Sequence, residues 1–183
     1  MRKIPKPGTD EFPAYAAMYI DLLPDDGSVL EELVRNIETT KRLVSSVAPE
    51  RLAYRYAPGK WTIKDIVAHL ADDERVYAYR ALRFARGDAT ELPGFDQEAF
   101  ARGSNANDRP IDELLRELAA VRAATVLLFE RFPEDALLRS GIADGSRTSV
   151  RAIAYHLAGH ELRHVRIIRE RYLKLPDQNS NRP

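Results

Sequence analysis

Apolar residues recur every three or four positions in four separate stretches, and this spacing constrains the fold more than any other feature. It places the apolar side chains on one face of an α-helix. The predicted helices run from Ser28 to before Pro49, from Thr62 to before Gly87, from Pro110 to before Pro133, and from Thr148 or Ser149 to about Leu173. Four amphipathic helices can bury their apolar faces against one another, so we predict an all-α four-helix bundle.

Two helix starts carry capping signals. Ser28 is followed three residues later by Glu31, and Thr62 is followed three residues later by Asp65. A hydroxyl side chain with an acid three residues on is typical of a capping box, in which each side chain bonds the other residue's backbone N–H. We therefore predict that the first two long helices begin at these residues.

The connections are predicted from turn-forming residues. Residues 1–27 form an N-terminal segment with a flexible start and a turn or two of helix before Pro24. Residues 88–110 form a long polar loop between the second and third helices, and loops of that length are usually functional or mobile. A hairpin around Asp144-Gly145 stays open as an alternative, because its flanking residues alternate poorly between polar and apolar.

Composition excludes several classes of protein. The 28 basic and 28 acidic residues balance, so no nucleic-acid partner is expected. The chain has no cysteine, which excludes disulfides, thiolate metal sites and cysteine nucleophiles. No apolar run is long enough for a signal peptide or a membrane span. We expect a soluble cytoplasmic protein with no membrane partner: a single domain over residues 1–183 with a disordered tail at 176–183.

The four histidines are the candidate metal ligands. His156, His160 and His164 are four residues apart on the last helix, and His69 lies on the second. Because each residue advances about 100° around a helix, His164 falls within the apolar face and His160 at its edge. His156 falls further out, as a hydrogen-bond partner or a surface residue. A pair on one helix with His69 on another would make a three-nitrogen site with an open position, which is typical of catalytic metals.

Three acidic residues lie close to these histidines in the helical pattern. Asp73, one turn after His69, can accept a proton from it, orient a water or supply a fourth ligand. Glu74 and Glu161 fall on apolar faces, where a carboxylate is costly unless it is protonated, paired with arginine or bound to metal. We consider Glu161 either a general base or a member of a buried ion pair.

Other known site motifs are not assigned. A ferritin-like di-iron centre needs two E-x-x-H motifs, and the second helix lacks one. We also expect no zincin signature, no Walker A motif, no Gly-rich dinucleotide motif and no nucleophile elbow.

Three motifs resemble the DinB superfamily, and within it the YfiT-like branch. They are Gly59-Lys-Trp-Thr-Ile-Lys-Asp-Ile-Val-Ala-His69-Leu, His156-Leu-Ala-Gly-His160-Glu-Leu-Arg-His164 and Gly94-Phe-Asp-Gln-Glu-Ala-Phe100. The resemblance covers roughly residues 28–175. It implies a four-helix bundle that holds one divalent metal, zinc or nickel, on His69, His160 and His164. It also implies a homodimer, since some members form dimers.

The resemblance implies two reactions, hydrolysis or transfer of a low-molecular-weight thiol. The expected partners are a small-molecule electrophile and, for the transferase, a thiol such as bacillithiol, mycothiol or glutathione. Asp73 or Glu161 would handle the proton. Members with known chemistry favour the thiol S-transferase. The alternative is a non-enzymatic bundle whose histidines bind metal and whose helices serve dimerisation.

Overall fold

The computed structural model describes residues 1–174, so the tail predicted at 176–183 lies outside it. Its eight α-helices within that range are α1 Ala17–Ile20, α2 Val29–Ser45, α3 Pro49–Leu52, α4 Ile63–Ala85, α5 Gln97–Gly103, α6 Ile111–Arg131, α7 Glu134–Leu138 and α8 Val150–Ile167. Two strands, β1 Ser140–Ala143 and β2 Ser146–Ser149, pair in an antiparallel hairpin. Short 3₁₀ turns lie at Ala14–Ala16 and Ala106–Asp108, and a π-helical turn, Ile168–Leu173, extends α8.

The four long helices pack as a bundle, which confirms the predicted fold. Helix α4 lies between α6 and α8, and α2 contacts the same two helices from the other side. Helices α4 and α8, which carry all four histidines, are therefore direct neighbours. Within the described residues, this small hairpin and a single β-bridge from Leu92 to Ala143 depart from the predicted all-α class.

Two apolar cores are separated by a layer of buried polar residues. One core includes Leu33, Phe84, Phe129 and Leu157, and the other includes Leu70, Leu118 and Val165. On each long helix, buried polar residues fall between the positions that belong to the two cores. They include Asn36 on α2, Asp73 and Glu74 on α4, Arg122 on α6, and His160 and Glu161 on α8. The candidate site is thus built into the middle of the bundle.

The two predicted capping boxes had different outcomes. Thr62 accepts a hydrogen bond from the Asp65 backbone, and the Asp65 carboxylate accepts one from the Thr62 backbone, as predicted. The box at Ser28 is wrong, because the Ser28 hydroxyl donates to Asp26 and caps no helical N–H. At α8, the Ser149 side chain accepts from the Ala152 backbone, which resolves the choice between Thr148 and Ser149.

The N-terminal segment is packed against the bundle instead of being free at its start. Ile4 is fully buried, and its backbone carbonyl accepts a hydrogen bond of 2.9 Å from the Tyr155 hydroxyl. Helix α1, the turn predicted before Pro24, lies directly on α8. Gly159 makes this approach possible, since a Cβ there would lie 2.1 Å from the Tyr19 carbonyl oxygen.

The two predicted connections contain more structure than expected. Residues 88–110 include α5, which Asp96 caps by accepting from two backbone N–H groups. The hairpin turns at Asp144 and Gly145, whose positive φ angles of 52° and 66° suit a type I′ turn. None of the helices in residues 1–174 is both long enough and apolar enough to cross a membrane.

Candidate metal centre

Three imidazoles from two helices meet at one point. The Nε2 atom of His160 lies 3.2 Å from Nε2 of His69 and 3.0 Å from Nε2 of His164. His69 and His160 are buried, and His164 is partly exposed although its Nδ1 atom is buried. The structure thus brings together the three histidines that the sequence analysis selected as ligands.

The spacing of these nitrogen atoms fits a single divalent cation. Ligand atoms about 2.0–2.1 Å from zinc lie about 3.3 Å apart in a tetrahedron. The ligand atoms of His69, His160 and His164 all lie within 4.8 Å of one another. Imidazole nitrogen suits zinc and nickel, and three protein ligands leave positions open. The residues present therefore fit the metal that the histidine pattern predicts.

Burial keeps His69 and His164 in the neutral form that metals bind. Desolvation, assisted by the neighbouring His160, lowers the pKa of His69 to about 4. Burial, followed by His160 and His69, holds the pKa of His164 well below its usual range. Since metal binding needs unprotonated nitrogen, His69 and His164 are ready for a cation at neutral pH.

Asp73 approaches His160, and not His69 as the one-turn spacing predicted. Its Oδ2 atom lies 3.2 Å from His160 Nδ1 and 3.8 Å from His156 Nε2. The first distance is within hydrogen-bonding range, but this buried oxygen makes no regular hydrogen bond within the described part of the chain. Burial alone would raise the pKa of Asp73, but His160 and His156 outweigh it and hold that pKa well below its ordinary value.

His156 is buried, so its interpretation as a surface histidine is wrong. Its ring stacks on Tyr77, with centroids 4.2 Å apart, and meets Tyr19 edge-on at 5.0 Å. Asp73, His156 and His160 form a second group whose ligand atoms lie within 4.8 Å of one another. His160 belongs to both groups. Its Nε2 atom faces His69, and its Nδ1 atom faces Asp73.

Glu161 is a member of a buried ion pair, one of the two roles that the sequence analysis left open. Its Oε1 accepts from the Thr40 hydroxyl at 2.6 Å, and its Oε2 accepts from Arg122 at 2.7 Å. Arg122 also donates to both oxygens of Glu74 and to the Leu33 carbonyl. Both Glu161 oxygens are therefore engaged away from the histidines, and the general-base role has no support in this geometry.

The expectation of no zincin signature was wrong. Residues 160–164 read H-E-L-R-H, which is the H-E-x-x-H pattern with two histidines one turn apart. In that pattern the glutamate acts as general base, whereas Glu161 here bonds Thr40 and Arg122. The chain matches the letters of the motif, while its third histidine comes from the neighbouring helix α4.

Two cavities reach the histidines from different sides. The Trp61 cavity, about 260 Å³, is lined by residues that include Trp61, His160 and His164. The Tyr77 cavity, about 390 Å³, is lined by residues that include Asp73, Tyr77, His156 and His160. Both cavities are lined by Tyr19 of α1 and by Gln97 and Glu98 of α5, so these two helices lie between the cavities. The sequence analysis did not assign a role to Trp61, whose ring centroid is 4.5 Å from that of His69.

The fold and the site together define a class of protein. It is a four-helix bundle with a buried histidine and aspartate cluster that could hold a metal ion. A family model, the DinB superfamily, matches residues 32–168, a span that contains both histidine helices. The chain belongs to the DinB superfamily.

Known proteins that are similar to the chain include a bacterial relative and a protein of solved structure. A protein of Oceanobacillus iheyensis named "Putative metal-dependent hydrolase OB0413" is 32% identical over 142 residues, which cover 74% of this chain and 81% of that protein. The structure of YfiT from Bacillus subtilis matches with a TM-score of 0.68 at 18% identity, covering 93% of this chain and 94% of that one. YfiT is described as a probable metal-dependent hydrolase with an unusual four-helix bundle topology.

Proposed function

We propose that the chain is a metal-dependent enzyme that holds one divalent cation, zinc or nickel, on His69, His160 and His164. The observation that carries this proposal is the convergence of three Nε2 atoms, 3.0 and 3.2 Å apart, beside an open cavity. The name of the Oceanobacillus iheyensis relative, "Putative metal-dependent hydrolase OB0413", supports it.

The cation would supply Lewis acidity, which polarises a substrate oxygen and acidifies a water or thiol that binds beside it. The protein residues would orient the histidine ligands and enclose the site. The Asp73 carboxylate, whose Oδ2 lies 3.2 Å from His160 Nδ1, would favour a proton on that nitrogen, so that Nε2 would offer a lone pair to the centre. Tyr19 covers His160 with its ring 5.3 Å away, and Trp61 covers His69. In this proposal the Asp73 carboxylate, which also lines the Tyr77 cavity, would accept the proton of the attacking group directly.

Hydrolysis is the first candidate reaction, with a small-molecule electrophile as substrate. The second is thiol S-transfer, in which a low-molecular-weight thiol replaces water as nucleophile. The observation that favours this second reaction is the pair of cavities on either side of His160, which would give two substrates separate entrances. A homodimer is also part of the proposal.

The metal assignment is tested by measuring bound zinc and nickel in protein purified without a metal resin. His164→Ala should reduce bound metal from about one ion per chain to a small residual, because it removes one of three ligands. His156→Ala is the matched control, a buried histidine on the same helix outside the proposed set. The reverse result, with metal lost only in His156→Ala, would contradict the assignment in favour of Asp73, His156 and His160.

The reaction is tested with metal-loaded protein, monochlorobimane and each of bacillithiol, mycothiol and glutathione, and in parallel with p-nitrophenyl esters. Metal-dependent turnover in either assay, absent in His164→Ala of unchanged helical content, is the expected result. Metal-dependent thermal stability without turnover in any assay would support the non-enzymatic bundle instead.

A further inference from the structure

The Trp61 cavity contains two cationic side chains that have no ion pair among the described residues. Lys60 and Arg163 both line it, next to His160 and His164. Neither makes a salt bridge or a side-chain hydrogen bond within residues 1–174, although eleven other Arg or Lys side chains take part in the salt bridges found there. Two free cations at the mouth of a cavity attract anions.

Among the described residues that line this cavity, the two cations outnumber the single carboxylate, that of Glu98. Glu98 accepts a hydrogen bond of 2.9 Å from the Trp61 indole N–H, which holds it against the wall. The remaining wall is aromatic and apolar and includes Tyr56, Trp61 and Ile167. The cavity therefore combines a cationic side with a flat aromatic side, and its volume of about 260 Å³ admits only a small molecule.

The Tyr77 cavity has the opposite charge. Its lining includes the carboxylates of Asp73, Asp96 and Asp144, with Glu98 at the boundary between the two cavities. The cation on this side, Arg80, donates to the Pro93 carbonyl and lies 4.9 Å from the Tyr77 ring centroid. An anion approaching the histidines is therefore repelled from this side and attracted from the other.

We propose that the Trp61 cavity binds a small carboxylate whose apolar body packs on Trp61 and Tyr56 and whose charge is paired with Lys60 and Arg163. The identification of this carboxylate as the substrate class rests on the proposed function. The anion-binding property itself does not, because Lys60 and Arg163 carry their charge with or without a metal. Arginine binds a carboxylate through two parallel N–H donors, which gives orientation as well as attraction.

The experiment compares benzoate with benzylamine, which have nearly the same shape and opposite charge. Each is titrated into metal-free protein, and NMR shifts of the Trp61 indole N–H and of the Arg163 backbone amide are followed. Benzoate should shift both signals in a saturable way, and benzylamine should bind at least fivefold more weakly. Arg163→Glu should weaken benzoate binding at least fivefold. Arg171→Glu makes the same charge change at an exposed residue outside the cavity lining, and it should leave the benzoate affinity within twofold of that of the unaltered protein.

Two results would overturn the proposal: benzoate and benzylamine binding equally, or Arg163→Glu and Arg171→Glu having the same effect. Lys60→Glu provides a second variant in case Arg163→Glu alters the fold, and it should also weaken benzoate at least fivefold. Because the titration uses metal-free protein, its outcome is independent of the metal measurement on His164→Ala. Selective binding of benzoate by a protein that binds no metal would contradict the proposed enzyme function and still support the anion-binding cavity.

Discussion

At the scale of the residue, the side chain that Asp73 contacts determines which histidine this carboxylate can orient. The helical spacing placed Asp73 beside His69, one turn away on the same helix, but the side chain crosses to His160 on α8. Sequence spacing reports which face of a helix a residue occupies, and it does not report how the neighbouring helix is rotated. The three histidines were predictable, whereas the carboxylate contact that orients one of them required the packing of α4 on α8.

Asp73→Asn should weaken zinc binding by about 10- to 100-fold, the usual effect of removing the carboxylate behind a metal-binding histidine. The neutral amide can no longer stabilise the Nδ1 proton of His160. Affinity is measured by competition with a chromophoric chelator, and circular dichroism monitors the fold. Asp72→Asn is the matched control, since Asp72 pairs with Arg75 on the surface. Equal affinities of the two variants would contradict the role given to Asp73.

At the scale of the element, α1 reaches the histidines because α8 has a glycine where the two backbones meet. The apolar pattern predicted a turn of helix before Pro24, but not that it would place Tyr19 against His156 and His160. Gly159 was the available signal, since a glycine within a helix often marks a close approach of another backbone. That approach is a tertiary contact between distant parts of the chain, and the local pattern could not identify its partner.

Gly159→Ala should lower the free energy of unfolding by about 1–3 kcal/mol, the usual cost of inserting a methyl group into a filled space. The new Cβ would lie 2.1 Å from the Tyr19 carbonyl oxygen, so α1 must move away from α8. Urea denaturation measures the change. Gly103→Ala is the control, because no atom lies within 4 Å of its added Cβ. A Gly159→Ala protein as stable as Gly103→Ala would show that α1 does not depend on this contact.

The short elements illustrate a second limit of the sequence pattern. In the hairpin, Ile142 is exposed while Gly141 faces the core, where a Cβ would lie 2.1 Å from the Phe84 ring. The usual alternation of apolar and polar side chains is therefore absent, which is why the hairpin remained open as an alternative. Helix α5 has only seven residues, too few for a helical periodicity to emerge in the loop.

At the scale of the whole molecule, a polar layer divides the core and connects all four long helices. Arg122 on α6 bonds Leu33 of α2, Glu74 of α4 and Glu161 of α8. Burial alone would lower the pKa of Arg122, but the Glu161 and Glu74 carboxylates outweigh it and raise that pKa. The sequence pattern identified both glutamates as needing partners. It could not select Arg122, because the order of the helices around the bundle is not encoded in their individual periodicities.

The metal-free protein should lose stability as the pH falls from about 6.5 to about 4. An unfolded chain protonates His69 near pH 6.5, whereas burial lowers the folded pKa to about 4. Between these values the unfolded state binds more protons, so acid favours unfolding, by up to about 3 kcal/mol from this residue. Asp73 acts in a lower window: its depressed pKa contributes stability above about pH 3.8 that is lost below it.

This pH dependence is measured by urea unfolding in the presence of a chelator between pH 4 and pH 8. His69→Gln removes one of the buried titrating groups. The slope between pH 4 and 6.5 should decrease but not vanish, because burial also lowers the pKa of His156 and of His164. An unchanged slope in that variant would assign the acid sensitivity to other groups.

The position of Trp61 has a practical consequence for observing this molecule. It is the chain's only tryptophan, and its ring lies 4.5 Å from His69 and 6.2 Å from His164, centroid to centroid. Its fluorescence therefore reports on a single place in the protein, with no label and no competing indole. If the proposed site binds an ion, open-shell Ni²⁺ would quench that emission and closed-shell Zn²⁺ would not, so the fluorescence of this one side chain would distinguish the two candidate ions.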